Sequence, residues 1–141
     1  MEIGTIEVPT WMMDIKYNFK VIPNGELHDL IKTGANCQVF AYYLLRYHNR
    51  VVPDLRSSEL WDDTTFSEQV PEDYEPLDIL FFHKKKDAYG AHLAVFIGDN
   101  KAVHNSKKIG KPVIWNLETF SEKPEYKFLL GGKRFFKDKT H

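Results

Sequence analysis

Five short apolar segments in the second half of the chain limit what it can fold into. They are strand-length runs rich in β-branched and aromatic residues, at 77–83, 92–97, 101–105, 111–115 and 126–136. Gly98-Asp99-Asn100 and Lys108-Ile109-Gly110 supply turn residues between consecutive runs. Connections this short join antiparallel neighbours, so the pattern predicts an antiparallel sheet of about five strands.

The first half of the chain has helical periodicity instead. Over 36–48, five apolar side chains recur with a 3.6-residue period and form one broad face: Val39, Phe40, Tyr43, Leu44 and Tyr47. Tyr42 falls outside this face and is predicted to reach solvent. A shorter helix is predicted at 25–32, with Asn24 as its cap. Residues 2–22 are predicted as an edge strand or an irregular arm.

These elements predict an α+β fold in which a helical N-terminal half packs on the sheet. Residues 54–76 are predicted to be loop-rich, with one helical turn at 57–61. Length and patterning indicate a single domain over 1–141, with its core at about 24–136. Trp115 and Phe120 are expected to pack under the sheet.

Composition excludes several classes of function. The chain has 141 residues, 43% hydrophobic and 28% charged, and a net charge of −1. This balance lacks the basic excess of a nucleic-acid-binding face, and no run is apolar enough for a membrane anchor. The first twenty residues do not resemble a secretory leader, so we expect a cytoplasmic protein. One cysteine allows no internal disulfide.

That single cysteine, Cys37, lies in the first turn of the main predicted helix. A thiol attacks as thiolate, and the positive end of a helix or a neighbouring imidazolium lowers its pKa. Unpaired N–H groups at the same place can also face an oxyanion. The alternative is that a lone cysteine is a small buried apolar residue.

Two histidines are placed to serve a thiol. His92 begins the apolar segment 92–97, and His104 lies twelve residues later, across the turn at 98–100. A tight hairpin makes the two near neighbours, one as base and the other holding it in the correct tautomer. The alternatives are ordinary sheet packing, or zinc with Cys37 as a third ligand, which the spacing does not support.

The order of these segments resembles the NlpC (P60) family of papain-like cysteine peptidases. The matching segments are NCQVFA at 36–41, PLDILFF at 76–82, AHLAVFIGDNKAVHNS at 91–106 and YKFLLGGKRF at 126–135. The resemblance implies a papain-like fold, Cys37 as nucleophile, His92 as general base and His104 as the residue that orients it. Asp78 matches an acidic position that is structural. The family uses no cofactor or metal and cuts murein-type γ-D-glutamyl peptides through a thioester.

Two departures leave the substrate open. Asn36-Cys37-Gln38-Val39 stands where murein-cutting members commonly have Asp-Cys-Ser-Gly, and Leu77 replaces a glycine. We therefore predict a cysteine peptidase or amidase whose partner is a peptide or other amide, murein-type or not. The alternatives are an acyltransferase or thioesterase of the same superfamily, and a catalytically silent binding module.

Substrate contacts are predicted on both sides of the thiol. Asn36 and Gln38 flank it in the sequence, and the polar stretch after the main helix adds Arg56, Ser58 and Trp61. The alternative for that stretch is a capped turn with Trp61 in the core.

Overall fold

The computed structural model describes residues 6–18 and 35–136, and the predicted helix at 25–32 lies outside them. A six-stranded sheet occupies the second half of the chain, in the spatial order β1-β6-β2-β3-β4-β5. Every neighbouring pair is antiparallel. The strands are β1 (Ser67–Val70), β2 (Ile79–His83), β3 (His92–Gly98), β4 (Lys101–Asn105), β5 (Pro112–Asn116) and β6 (Phe128–Phe135).

Three α-helices and two 3₁₀ helices complete the described part. The α-helices are α1 (Cys37–Tyr47), α2 (Ser57–Asp62) and α3 (Leu117–Ser121). The 3₁₀ helices are Thr10–Asp14 and Pro124–Tyr126. Residues 6–18 otherwise form an irregular arm that is tied to the body at several points. A bridge joins Tyr17 to Ala35, the Tyr17 N–H donates to the Gly110 carbonyl, and the Ile6 N–H donates to the Ile97 carbonyl. The fold is therefore α+β, and within the described first half the main predicted helix and the turn predicted at 57–61 are both helical.

Both faces of the sheet are covered, which explains why β2 and β3 are apolar almost throughout. One face packs against α1 through side chains such as Phe81, Leu93 and Val95. The other carries Phe82 and Ala94 beneath a smaller cluster that includes Phe120 and Tyr126. Trp115 packs at the edge of that cluster, as expected. Strands buried on both faces lose the polar alternation of a half-exposed strand.

Helix α1 begins where a cap fixes it. The Asn36 side-chain oxygen accepts a hydrogen bond from the Val39 N–H at 2.8 Å, satisfying one of the unpaired donors of the first turn. Its buried side chains run from Val39 to Leu45, and the helix packs against β3 and β4. Tyr42 is fully buried, so its predicted exposure is wrong. Its hydroxyl instead donates to the Leu55 carbonyl, which holds the chain after α1.

Two boundaries in the sheet also differ from prediction. Strand β1 falls inside 54–76, a stretch predicted to be loop-rich apart from one turn, and makes the sheet six-stranded rather than about five-stranded. Its sequence Ser-Glu-Gln-Val has two exposed central side chains, so pairing with β6 rather than apolar periodicity produces it. Tyr126 belongs to a 3₁₀ helix, and the last strand begins at Phe128.

Asp78 has a structural role at the start of β2. Its buried carboxylate accepts hydrogen bonds from Nε and a terminal nitrogen of Arg134, both at 2.9 Å, and from the Glu75 N–H at 2.8 Å. Leu77, where the family has glycine, adopts φ +80°. That left-handed conformation is strained for a leucine. Within the described residues, no helix is long and apolar enough to cross a membrane.

Candidate active site

Backbone donors surround the sulfur of Cys37 at the start of α1. The N–H groups of Cys37, Gln38 and Leu93 face it and favour its ionised form. Leu93 follows His92 directly on β3, so the sulfur lies beside the strand end that carries this histidine. The loop before the thiol is held from β4, because buried Asn105 donates from Nδ2 to the Ala35 carbonyl at 2.7 Å.

The two predicted histidines are in contact. His92 Nε2 lies 2.7 Å from His104 Nδ1, and the two rings are perpendicular at 88°. The expected proximity of the imidazoles is therefore confirmed. Because Nε2 of His92 is engaged with His104, its Nδ1 is the nitrogen left to exchange a proton with another group.

Aromatic rings fix both imidazoles. Tyr126 stacks on His92 with centroids 4.5 Å apart. Trp115 and Phe120 pack on fully buried His104, with centroids 4.5 and 4.6 Å away. Among the described residues, His104 Nε2 has no hydrogen-bond partner. A proton on Nε2 therefore faces no competing acceptor, and it can lie against the surrounding aromatic rings. In this tautomer Nδ1 is unprotonated and accepts a hydrogen bond from His92.

Burial keeps this site neutral. It lowers the pKa of His92 to about 3, and burial together with the neighbouring imidazole lowers the pKa of His104 as well. Burial raises the pKa of the Cys37 thiol, against the smaller opposing effect of the three backbone N–H groups. The lowered thiol pKa predicted from the helix terminus is therefore wrong. Burial therefore favours a neutral thiol and neutral imidazoles over an ion pair.

Two cavities share Tyr17 as a lining residue, and one contains Cys37 while the other contains His92. The first, of about 310 Å³, contains Cys37 and reaches the start of α2. The second, of about 460 Å³, contains His92. Tyr17 lines both, and burial raises the pKa of its phenol to about 12, so it is a neutral donor there. Sequence reasoning missed Tyr17, because it lies in an irregular arm outside every motif.

Four of the five predicted substrate contacts line the first cavity. Asn36, Gln38, Arg56 and Ser58 do so, together with Ser57 and the loop 89–91. The exposed Arg56 is the cation among these lining residues. Asn36 and Gln38 also have structural bonds, since Asn36 caps α1 and the Gln38 amide donates to Tyr42 and to the Leu55 carbonyl.

Trp61 is the exception. Its ring packs edge-on against Phe81 with centroids 5.0 Å apart, and it lines other cavities that do not contain Cys37. The structure therefore favours its packing role. Nowhere in residues 6–18 and 35–136 are three or more His, Cys, Asp or Glu side chains grouped to hold a metal ion.

Comparison with known proteins gives one line of support, from structure. No family model and no curated protein sequence matches this chain. The crystal structure of the P60 domain from M. avium subspecies paratuberculosis antigen MAP1204 is similar, with a TM-score of 0.57 and 16% sequence identity. The match covers 87% of this chain and 85% of that one. The chain has the fold of a P60 domain. At this identity the likeness defines the fold, and the resemblance seen in the sequence motifs extends to the architecture.

Proposed function

We propose that the protein is a cysteine amidase or peptidase that uses Cys37 as nucleophile, His92 as general base and His104 as the residue that orients His92. The observation that carries the proposal is the 2.7 Å contact between His92 Nε2 and His104 Nδ1 beside a helix-terminal thiol. The P60-like fold supports it independently.

In the first step, His92 Nδ1 takes the thiol proton as the sulfur of Cys37 attacks the carbonyl carbon of the amide. A neutral pair suits this step, because proton transfer and attack then occur together and no buried ion pair has to exist beforehand. The N–H groups of Cys37 and Gln38, at the start of α1, are the donors for the resulting oxyanion. The neutral phenol of Tyr17 is a candidate third donor.

In the second step, the protonated His92 gives its proton to the leaving nitrogen and the C–N bond breaks. The acyl group remains on Cys37 as a thioester. Water then attacks with His92 again as base, which releases the acid and restores the thiol. Throughout, His92 Nε2–H donates to His104 Nδ1, so the imidazole stays in one tautomer and cannot rotate away.

The acyl part of the substrate belongs in the cavity that contains Cys37. A γ-linked D-glutamyl group has a free α-carboxylate near the scissile bond, and Arg56 supplies a complementary cation with the Ser57 and Ser58 hydroxyls beside it. We therefore propose a murein-type peptide as the first substrate to test. Arg56→Ala should lower kcat/KM for it about tenfold.

The test is turnover of L-Ala-γ-D-Glu-diaminopimelate and of its α-linked isomer, followed by mass spectrometry. We expect cleavage of the γ-linked peptide, a thioester on Cys37, and loss of both in Cys37→Ala. His83→Gln is the matched control and should be fully active, because the His83 ring is hydrogen-bonded to the Asp87 carbonyl of a loop and lines neither the cavity of Cys37 nor that of His92. A fatty-acyl adduct would indicate an acyltransferase. Ligand binding that survives Cys37→Ser without any turnover by the natural chain would indicate a binding module.

A further inference from the structure

The cavity on the His92 side identifies where the leaving group lies. His92 must hand its proton to the departing nitrogen, so the part of the substrate attached to that nitrogen occupies the cavity that contains His92. This inference rests on the proposed function. The cavity, of about 460 Å³, is lined by Tyr17, His92, Lys107, Lys108, Glu125 and Tyr126.

The charges of this cavity distinguish it from the cavity on the Cys37 side. Two consecutive exposed lysines, Lys107 and Lys108, line this cavity, and Glu125 is the one acidic residue among its lining residues. Lys108 Nζ is 3.8 Å from a carboxylate oxygen of Glu125, and the Lys108 side chain is 82% exposed. A contact this long and this exposed holds the lysine weakly. Lys108 can therefore turn toward a stronger anion inside the cavity.

We infer that this cavity selects a leaving amine that carries a carboxylate, such as an amino acid or a C-terminal residue with a free carboxyl group. Lys107 and Lys108 are the specificity-determining residues, and Tyr126 and Tyr17 are the walls against which the leaving residue packs. Glu125 opposes the preference, because it competes for Lys108 and repels an incoming carboxylate.

Microscopic reversibility allows a test without the natural substrate. p-Nitrophenyl acetate acylates Cys37 and releases p-nitrophenol, leaving an acetyl thioester. An added amine then attacks that thioester from the leaving-group cavity: the C–N bond forms, the C–S bond breaks, and the amine proton passes through His92 to the sulfur. Alanine and alaninamide differ only in the carboxylate, and mass spectrometry gives the ratio of their N-acetyl products.

We expect the ratio of N-acetylalanine to N-acetylalaninamide to be about fivefold higher in the natural chain than in Lys107→Ala/Lys108→Ala. The intrinsic reactivities of the two amines cancel when the two proteins are compared. The excess should fall at high salt, and Glu125→Gln should increase it about twofold. Lys84→Ala/Lys85→Ala, which removes two exposed lysines outside this cavity, is the matched control and should leave the ratio unchanged.

Two failures can be told apart. An acetyl thioester that forms normally but shows the same product ratio with and without the two lysines overturns this inference and leaves the amidase standing. A chain in which Cys37 is not acylated at all refutes the proposed function, and the inference falls with it.

Discussion

The contacting pair of imidazoles makes a prediction about stability that needs no substrate. His92 and His104 are neutral in the folded protein, because burial lowers both pKa values from the ordinary value of 6.5, that of His92 to about 3. In the unfolded chain both titrate normally. Between these pKa values the unfolded state binds more protons than the folded one, so stability present above pH 6.5 is lost as the pH falls toward 3.

The size of the effect follows from linkage. Consider a histidine that stays neutral in the folded state and has a pKa of 6.5 in the unfolded state. As the pH falls from 6 to 5, it lowers the free energy of unfolding by about 1.2 kcal/mol. The pair together costs about 2.4 kcal/mol over that one pH unit. This is a large share of a typical domain's stability, so the difference is measurable by urea unfolding.

The assay compares urea unfolding of the natural chain and of His92→Gln/His104→Gln at pH 7, 6 and 5. Between pH 6 and pH 5 the variant should lose about 2.4 kcal/mol less unfolding free energy than the natural chain. The other titrating groups are common to both proteins and cancel in the comparison. NMR of the imidazole protons is a second readout on the natural chain: His92 and His104 should show no titration between pH 7 and pH 5. Equal pH slopes in the two proteins, or titration of either ring near 6.5, would refute the neutral pair.

Three further substitutions separate packing from chemistry. Asn105→Ala removes the buried hydrogen bond to the loop before the thiol, and should cost about 1–3 kcal/mol of unfolding free energy and slow acylation of Cys37; a variant of natural activity would contradict this. Asp78→Asn should lower the free energy of unfolding by about 2–3 kcal/mol, which is less than the loss of a fully buried ion pair because Arg134 is partly exposed. Asp99→Asn, at an exposed ion pair, is the control and should change the free energy of unfolding little. Trp61→Ala should cost about 2–3 kcal/mol and leave kcat/KM unchanged; a selective loss of kcat/KM would restore it as a substrate contact.

Elements with strong periodicity were the ones that the sequence could predict. The main helix was recognisable because its cap and its apolar face agree, and β2 to β4 because apolar runs alternate with turn residues. The contact between His92 and His104 followed from the same hairpin, since a short turn determines which residues are opposite each other. Local pattern was sufficient wherever the partner lies nearby in the chain.

Features created by distant partners were not predictable. Strand β1 exists because β6 pairs with it, and its own four residues resemble a loop. Tyr42 was expected in solvent because the carbonyl that accepts its hydroxyl proton, that of Leu55, lies beyond the end of the helix and reaches it only after folding. The thiol pKa was mispredicted for the same reason: the helix terminus is visible in the sequence, but the burial that outweighs it is a property of the packed molecule.

The rate of acylation of Cys37 tests the central claim most directly. Intact-mass measurement of the acetyl thioester formed from p-nitrophenyl acetate should show acylation at Cys37 that slows at least a hundredfold in His92→Gln, and that is unaffected in His83→Gln. Acylation that proceeds at the natural rate without the imidazole of His92 would contradict the account.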